Sequence, residues 1–272
     1  VSRLDDVLAA TRAEGRPALV GYLPAGFPDK QTAIDAIVAM VDGGVDVVEI
    51  GLPYSDPVMD GPTIQKAADA ALRHGFRVDD LFETVEAVAA TGAPTLVMTY
   101  WNPVERLGVD RFSARMAEAG GAGLITPDLI PDEAEEWVAA SDAHGLDRVF
   151  LVAPSSTDER IAMTAKASSG FLYATSVMGV TGARGATSDA APRLVERVRG
   201  LSDLPVGIGL GVSNGDQAAE IGAFADLVIV GSALVGCLLD HPDDPVAGVA
   251  AVRLLAEDLR SGVERARTEQ LR

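Results

Sequence analysis

The chain has 272 residues, 48% of them hydrophobic, which is enough to bury a sizeable core; α/β barrels commonly use about 250 residues for one domain. Acidic residues number 40 against 22 Lys plus Arg, a formal net charge of −18 that argues against general nucleic-acid binding and adhesion to anionic membranes. One cysteine, Cys237, excludes an intramolecular disulfide, and three scattered histidines, His74, His144 and His241, show no metal-ligand spacing.

The elements follow in order from the N-terminus. A helix is expected over about 2–11, then a short apolar run at 18–23. Seven more such runs follow, at 45–50, 95–99, 123–125, 148–152, 171–174, 206–209 and 226–230. Most are too short and β-branched for helices, and they lack the alternation of a half-exposed sheet. They suit parallel strands covered on both faces. Amphipathic segments lie between them. The segment 31–42 sets Ala33, Ile34, Ile37, Val38 and Val41 on one side. The segment 131–144 opens with Pro131-Asp132-Glu133 and ends at His144-Gly145, a helix start and stop. The segment 213–222 offers Ser213 and Asn214 as caps. A C-terminal helix is expected over about 245–267, with a loop at 236–244. Eight strand–helix units with right-handed crossovers predict an α/β fold, a closed (β/α)8 TIM barrel with extra N-terminal and C-terminal helices, as a single domain over 1–272. A doubly wound open sheet is the alternative.

Strand spacing is longest after the second and sixth runs, so these loops are the first places to look for chemistry. Glu49 lies inside the second run near its C-terminal end. A carboxyl there points into the barrel mouth, where desolvation would raise its pKa toward neutrality, or it is held in an ion pair or by loop amides. Asp60 precedes Gly61-Pro62 and is read either as a turn or helix-cap residue or as the second carboxylate of an acid–base pair. Asp56-Pro57 reads as a turn. Gly-rich pieces follow the last three runs: Gly179-Val180-Thr181-Gly182, Gly211-Val212-Ser213 and Gly231-Ser232. Their amides, with a short helix starting near Ser232, can cradle an anion that bulk charge would repel. Arg184 could add charge or stand solvated in its loop.

The stretch Glu49-Ile50-Gly51-Leu52-Pro53-Tyr54-Ser55-Asp56-Pro57-Val58-Met59-Asp60-Gly61-Pro62-Thr63-Ile64-Gln65 resembles the signature of the tryptophan synthase alpha chain family throughout. Further matches are Gly21-Tyr22-Leu23-Pro24-Ala25-Gly26-Phe27-Pro28, Met98-Thr99-Tyr100-Trp101-Asn102-Pro103, Gly179 to Arg184, Gly209-Leu210-Gly211-Val212-Ser213 and Val230-Gly231-Ser232-Ala233. The resemblance implies a (β/α)8 barrel that cleaves indole-3-glycerol phosphate to indole and glyceraldehyde 3-phosphate. It makes Glu49 the proton shuttle and Asp60 the carboxylate that stabilises the indole nitrogen. Tyr22, Tyr100, Tyr173 and Leu210 would line the indole pocket, with Tyr22 and Leu210 standing where the family often has Phe. Thr181, Gly182, Gly211, Gly231 and Ser232 would complete the substrate site, Thr181 reaching Asp60 when the loops 53–60 and 176–189 close.

The resemblance also implies an α2β2 assembly with a beta chain that carries the pyridoxal phosphate. No cofactor or metal is expected on this chain. The contact candidates are 53–60 and Asn102-Pro103-Val104. A stand-alone lyase, a catalytically silent regulatory barrel and a sugar-phosphate isomerase remain as alternatives. No run approaches the roughly 18 apolar residues of a membrane span, and no apolar segment follows the N-terminus, so a cytoplasmic protein is expected.

Overall fold

The computed structural model describes residues 2–175, 190–209 and 211–270, with side chains through residue 266. Among the described residues nine parallel strands are present: β1 (Ala18–Pro24), β2 (Val47–Gly51), β3 (Thr95–Met98), β4 (Gly123–Ile125), β5 (Asp147–Val149), β6 (Leu151–Val152), β7 (Leu172–Thr175), β8 (Val206–Gly209) and β9 (Leu227–Val230). They pair in the order β5-β4-β3-β2-β1-β9-β8-β7-β6. The two ends of that row, β5 and β6, are joined by Phe150 alone, so they are halves of one interrupted strand and the row closes into a ring. Eight physical strands in sequential order make the (β/α)8 barrel; an open doubly wound sheet would reverse its strand order at a switch point, and none does here.

Helices α1 (Arg3–Ala13) through α12 (Pro245–Gln270) surround and plug the ring. Ser2 caps α1 reciprocally with Asp5, and Leu4 and Leu8 of that helix enter the apolar barrel interior beside Val20, Val47 and Leu227. The alternate strand residues, such as Leu19, Val48 and Ile50, pack outward under the helices. Both faces of each strand are therefore covered, which is why the strands read as unbroken apolar runs.

The long step after β2 holds two helices, α3 (Pro62–Arg73) and α4 (Val78–Ala89), and the step after β3 also holds two, α5 (Trp101–Leu107) and α6 (Val109–Glu118). α2 (Lys30–Asp42) starts one residue before its expected position. The segment expected as one helix from Pro131 begins with a 3-10 turn, Pro131–Glu133, before α7 (Glu135–His144). α8 (Asp158–Ala167) and α9 (Ala190–Arg199) follow. In α10 (Gly215–Gly222) the cap is Asn214, whose side chain accepts from the Gln217 amide at 3.0 Å.

One expectation is corrected: 236–239 is not loop but the second half of α11 (Ser232–Leu239). Gly236 faces open space, while Leu234, Val235 and Leu238 bury the opposite side, and that burial outweighs the helix-weakening glycine. Among the described residues no helix is long and apolar enough to cross a membrane.

β2 is anchored at its base by Asp46. Its carboxylate accepts from Arg16 at 2.7 and 2.9 Å, from Arg260 at 3.0 Å and from the Leu19 amide at 2.8 Å. Arg16 is buried, so removing Asp46 leaves its charge to the exposed Glu14 carboxylate and the Pro17 carbonyl alone. Asp46→Ala is expected to cost about 3 kcal/mol of stability, read as a lower urea midpoint at unchanged slope.

Candidate active site

Alternation along β2 sends Val47, Glu49 and Gly51 toward the barrel axis, with Val47 in the apolar interior below. Glu49 is 1% exposed, and neither carboxyl oxygen has a hydrogen-bond partner among the described residues. Among the described residues, the ion-pair and loop-amide readings of Glu49 are thus not met. Burial alone pushes its pKa up to about 8, so at neutral pH the group is largely protonated yet able to ionise. Its in-register neighbours are Tyr22 on β1 and Leu96 on β3.

Asp60 ends the loop 52–61. The N-cap of α3 is Gly61 with Pro62 in the first turn, so Asp60 does not cap the helix. Its backbone carbonyl instead accepts from Gln65 Nε2 at 2.7 Å. Its partly buried carboxyl is raised by desolvation, opposed by a hydrogen bond with the Tyr100 hydroxyl. The same hydroxyl accepts from the Met59 amide at 3.0 Å, while burial holds its own pKa up at about 12. Tyr54 stacks at a tilt on Tyr100, 5.3 Å between centroids, and its hydroxyl accepts from Asn102 Nδ2 at 3.1 Å. The start of α5 therefore tethers the loop that carries Asp60. Asp56 is exposed and accepts from the Ser55 hydroxyl, in keeping with a turn.

Three tyrosines join the carboxyls. Burial raises the phenol pKa of Tyr22 well above normal, with further repulsion from Asp60 and then Glu49. Burial and the charge of Glu49 do the same to Tyr173. Tyr22, Tyr100 and Tyr173 thus share one mouth with both acids. Two glycines make room for them. A Cβ on Gly51 would lie 2.1 Å from the Tyr22 hydroxyl, and one on Gly209 would lie 2.3 Å from that of Tyr173. Sequence reading missed this role for Gly51 and Gly209. It also missed Met98, which is paired with Gly51 and packs on the barrel interior. Only their position at strand ends, in line with inward-facing residues, could have signalled them.

At the other side of the mouth, Gly211 (φ 49°) follows β8 and Gly231-Ser232 follows the adjacent β9. Gly231 is the N-cap of α11, with no side-chain cap bond, and Ser232 is its first residue. Backbone amides at this end are available for an anion. Thr181, Gly182, Leu210 and Arg184, with the loop 176–189, lie outside the described residues. On the outer flank of the Asp60 loop is a cavity of about 540 Å³ whose walls include Tyr54, Asp56, Asn102, Pro103 and Arg106. Val104, a contact candidate from the sequence, is fully buried in the core and presents no surface. Val58 in the loop is 70% exposed.

The Glu49 carboxyl binds its proton more tightly folded than unfolded. Unfolded, it ionises above its ordinary value near 4.5, whereas folded it stays protonated to about 8. Its contribution to stability therefore falls as pH rises through that window. Relative to Glu49→Gln, the wild-type chain is expected to lose about 4 kcal/mol between about pH 5 and pH 8, measured by urea unfolding at each pH.

Residues 8–264 match the family model described as "Tryptophan synthase alpha chain". The tryptophan synthase alpha chain of Acidothermus cellulolyticus is 61% identical over 265 residues, covering 97% of this chain and 98% of that one. That of Salinispora arenicola is 64% identical over 252 residues, covering 93% and 94%. A solved structure of Mycobacterium tuberculosis tryptophan synthase superposes with a TM-score of 0.91 at 56% identity, covering 97% of this chain and 99% of that one. The alpha subunit from Legionella pneumophila superposes at 0.86 with 31% identity, covering 97% and 98%. With two carboxyls at the mouth of a closed barrel and relatives matching over nearly their whole length, the chain belongs to the tryptophan synthase alpha chain family.

Proposed function

We propose that the chain cleaves indole-3-glycerol phosphate to indole and glyceraldehyde 3-phosphate, with Glu49 and Asp60 as its catalytic residues. The observation that carries this reading is the contrast between the two acids. Glu49 is fully buried, without a partner among the described residues, and holds a proton near neutrality. Asp60 sits at the rim, with only part of its surface covered and a hydroxyl at hand to stabilise its charge. Two carboxyls in unlike surroundings divide acid and anion roles between them.

In the proposed reaction Glu49 gives its proton to C3 of the indole ring. The ring nitrogen becomes positive, and the Asp60 carboxylate stabilises it. The Glu49 carboxylate then takes the proton from the side-chain hydroxyl next to the ring. The carbon–carbon bond breaks, its electron pair returns to the indole, and an aldehyde leaves. Glu49 ends protonated, as it began. The phosphate rests on the amides of Gly211, Gly231 and Ser232, and Thr181 and Gly182 complete the cradle. Tyr22, Tyr100, Tyr173 and Leu210 flank the indole. Every step uses side chains of this chain, and no cofactor enters.

The proposal extends to an α2β2 assembly with a beta chain, which holds the pyridoxal phosphate and consumes the indole. The exposed Val58 and the cavity rim at Tyr54, Asp56, Asn102 and Pro103 lie next to the Asp60 loop and suit that contact. A partner seated there would bear directly on Asp60 through Tyr100 and Asn102.

Indole release from indole-3-glycerol phosphate tests this reading. Slow turnover by the chain alone, rising strongly when a cognate beta chain is added, is expected; no indole in either case overturns it. Glu49→Gln should lower kcat by at least about a thousandfold while the substrate still binds. Because the free enzyme must carry the proton on Glu49 and the charge on Asp60, kcat/KM should fall above about pH 8 as Glu49 ionises, and should fall on the acid side as Asp60 takes up a proton. A profile flat to pH 10 would remove Glu49 as the acid.

A further inference from the structure

Tyr22 does more in the mouth than supply a ring. It is the in-register neighbour of Glu49 across the β1–β2 ladder. Its ring begins beside Gly231, where a Cβ would lie 3.3 Å from Cδ1, and its hydroxyl ends over Gly51, where a Cβ would fall 2.1 Å from the oxygen. One side chain thus reaches from the anion cradle at β9 to the strand of the buried acid. The charges of both Asp60 and Glu49 act on its hydroxyl. The phenol stays un-ionised at neutral pH, so it can donate as well as accept. Yet it makes no hydrogen bond with any described residue, and its in-register neighbour Glu49 is equally without one among those residues. Glu49 is buried without a partner among the described residues and carries a desolvation cost, and the partly covered Tyr22 hydroxyl on the neighbouring strand is open to a ligand.

We propose that the Tyr22 hydroxyl is a substrate contact that hydrogen-bonds the hydroxylated side chain of the bound indole glycerol phosphate, and so selects ligands that carry those hydroxyls. This rests on the reaction proposed above. The apolar indole offers a single N–H, which that reaction gives to Asp60, so the polar partner left for Tyr22 is the chain between ring and phosphate. A pocket that pairs a ligand hydroxyl discriminates more sharply than one that only fits its shape, because the unpaired protein group is penalised with the wrong ligand.

Calorimetry on the full-length chain tests the contact. Glu49→Gln serves as parent so that the substrate survives, and it is compared with Glu49→Gln/Tyr22→Phe. Two ligands are used: indole-3-glycerol phosphate and the analogue whose side-chain hydroxyls are replaced by hydrogen. The Phe variant should bind the substrate about five- to tenfold more weakly and the analogue within about twofold of the parent. Retained binding of the analogue also shows that the variant is folded. Equal affinity of both proteins for the substrate overturns the contact, and so does an equal loss for both ligands, which would be a packing effect of the ring. A parent that binds neither ligand overturns the reaction itself, and this proposal with it.

Discussion

An acid inside an apolar barrel governs the rest of this structure. Glu49 sits one layer above Val47 and Val20, buried from solvent, and among the described residues no side chain answers its charge. A carboxyl in such a place is tolerated as a neutral acid, which is also the state a proton donor needs. The surrounding fold supplies the stability that this placement forgoes. The apolar interior, the α1 plug and the Asp46 cluster all lie below the acid, toward the base of the ring, while the loops above it are free to serve chemistry. Holding β2 at its base fixes where Glu49 meets the mouth.

Much of this was legible in the residues. The eight apolar runs mark the barrel because strands buried on both faces cannot hide their composition. Glu49 stands out because it breaks such a run. Its lack of a partner among the described residues was not legible, because ion pairing is decided by side chains distant in sequence. Asp60 next to Gly61-Pro62 looked equally like a helix cap, yet Gly61 takes that place because proline fixes the first turn one residue later. Gly236 suggested a loop since a glycine's local preference is visible and the burial of Leu234 and Leu238 is not. Gly51 and Gly209 were silent for a related reason. What they do is leave space, and the rings that fill it come from other positions in the chain.

The mouth also shows how an acidic protein can serve an anionic ligand. Among the described residues its candidate anion end is made of backbone at Gly211, Gly231 and the start of α11, not of lysine or arginine. Local amide dipoles act over a few ångströms, whereas the surface charge is dispersed and screened by salt. The two therefore coexist in one molecule. Tyr22 lies along the path between that end and the acids, which in the proposed reaction would tie the recognition of one part of a ligand to the chemistry at another.

Closure of the ring has a consequence for how the chain is made. β1 pairs on one side with β2 and on the other with β9, and Asp46 waits for Arg260 in α12. During synthesis the first strand emerges long before its second neighbour exists. Until the ribosome has passed the codons for β9, one edge of β1 is an open template for any passing strand. The nascent barrel is a split cylinder, sealed only by its own last quarter. Its vulnerability to aggregation is therefore set by the pace of translation as much as by the final fold.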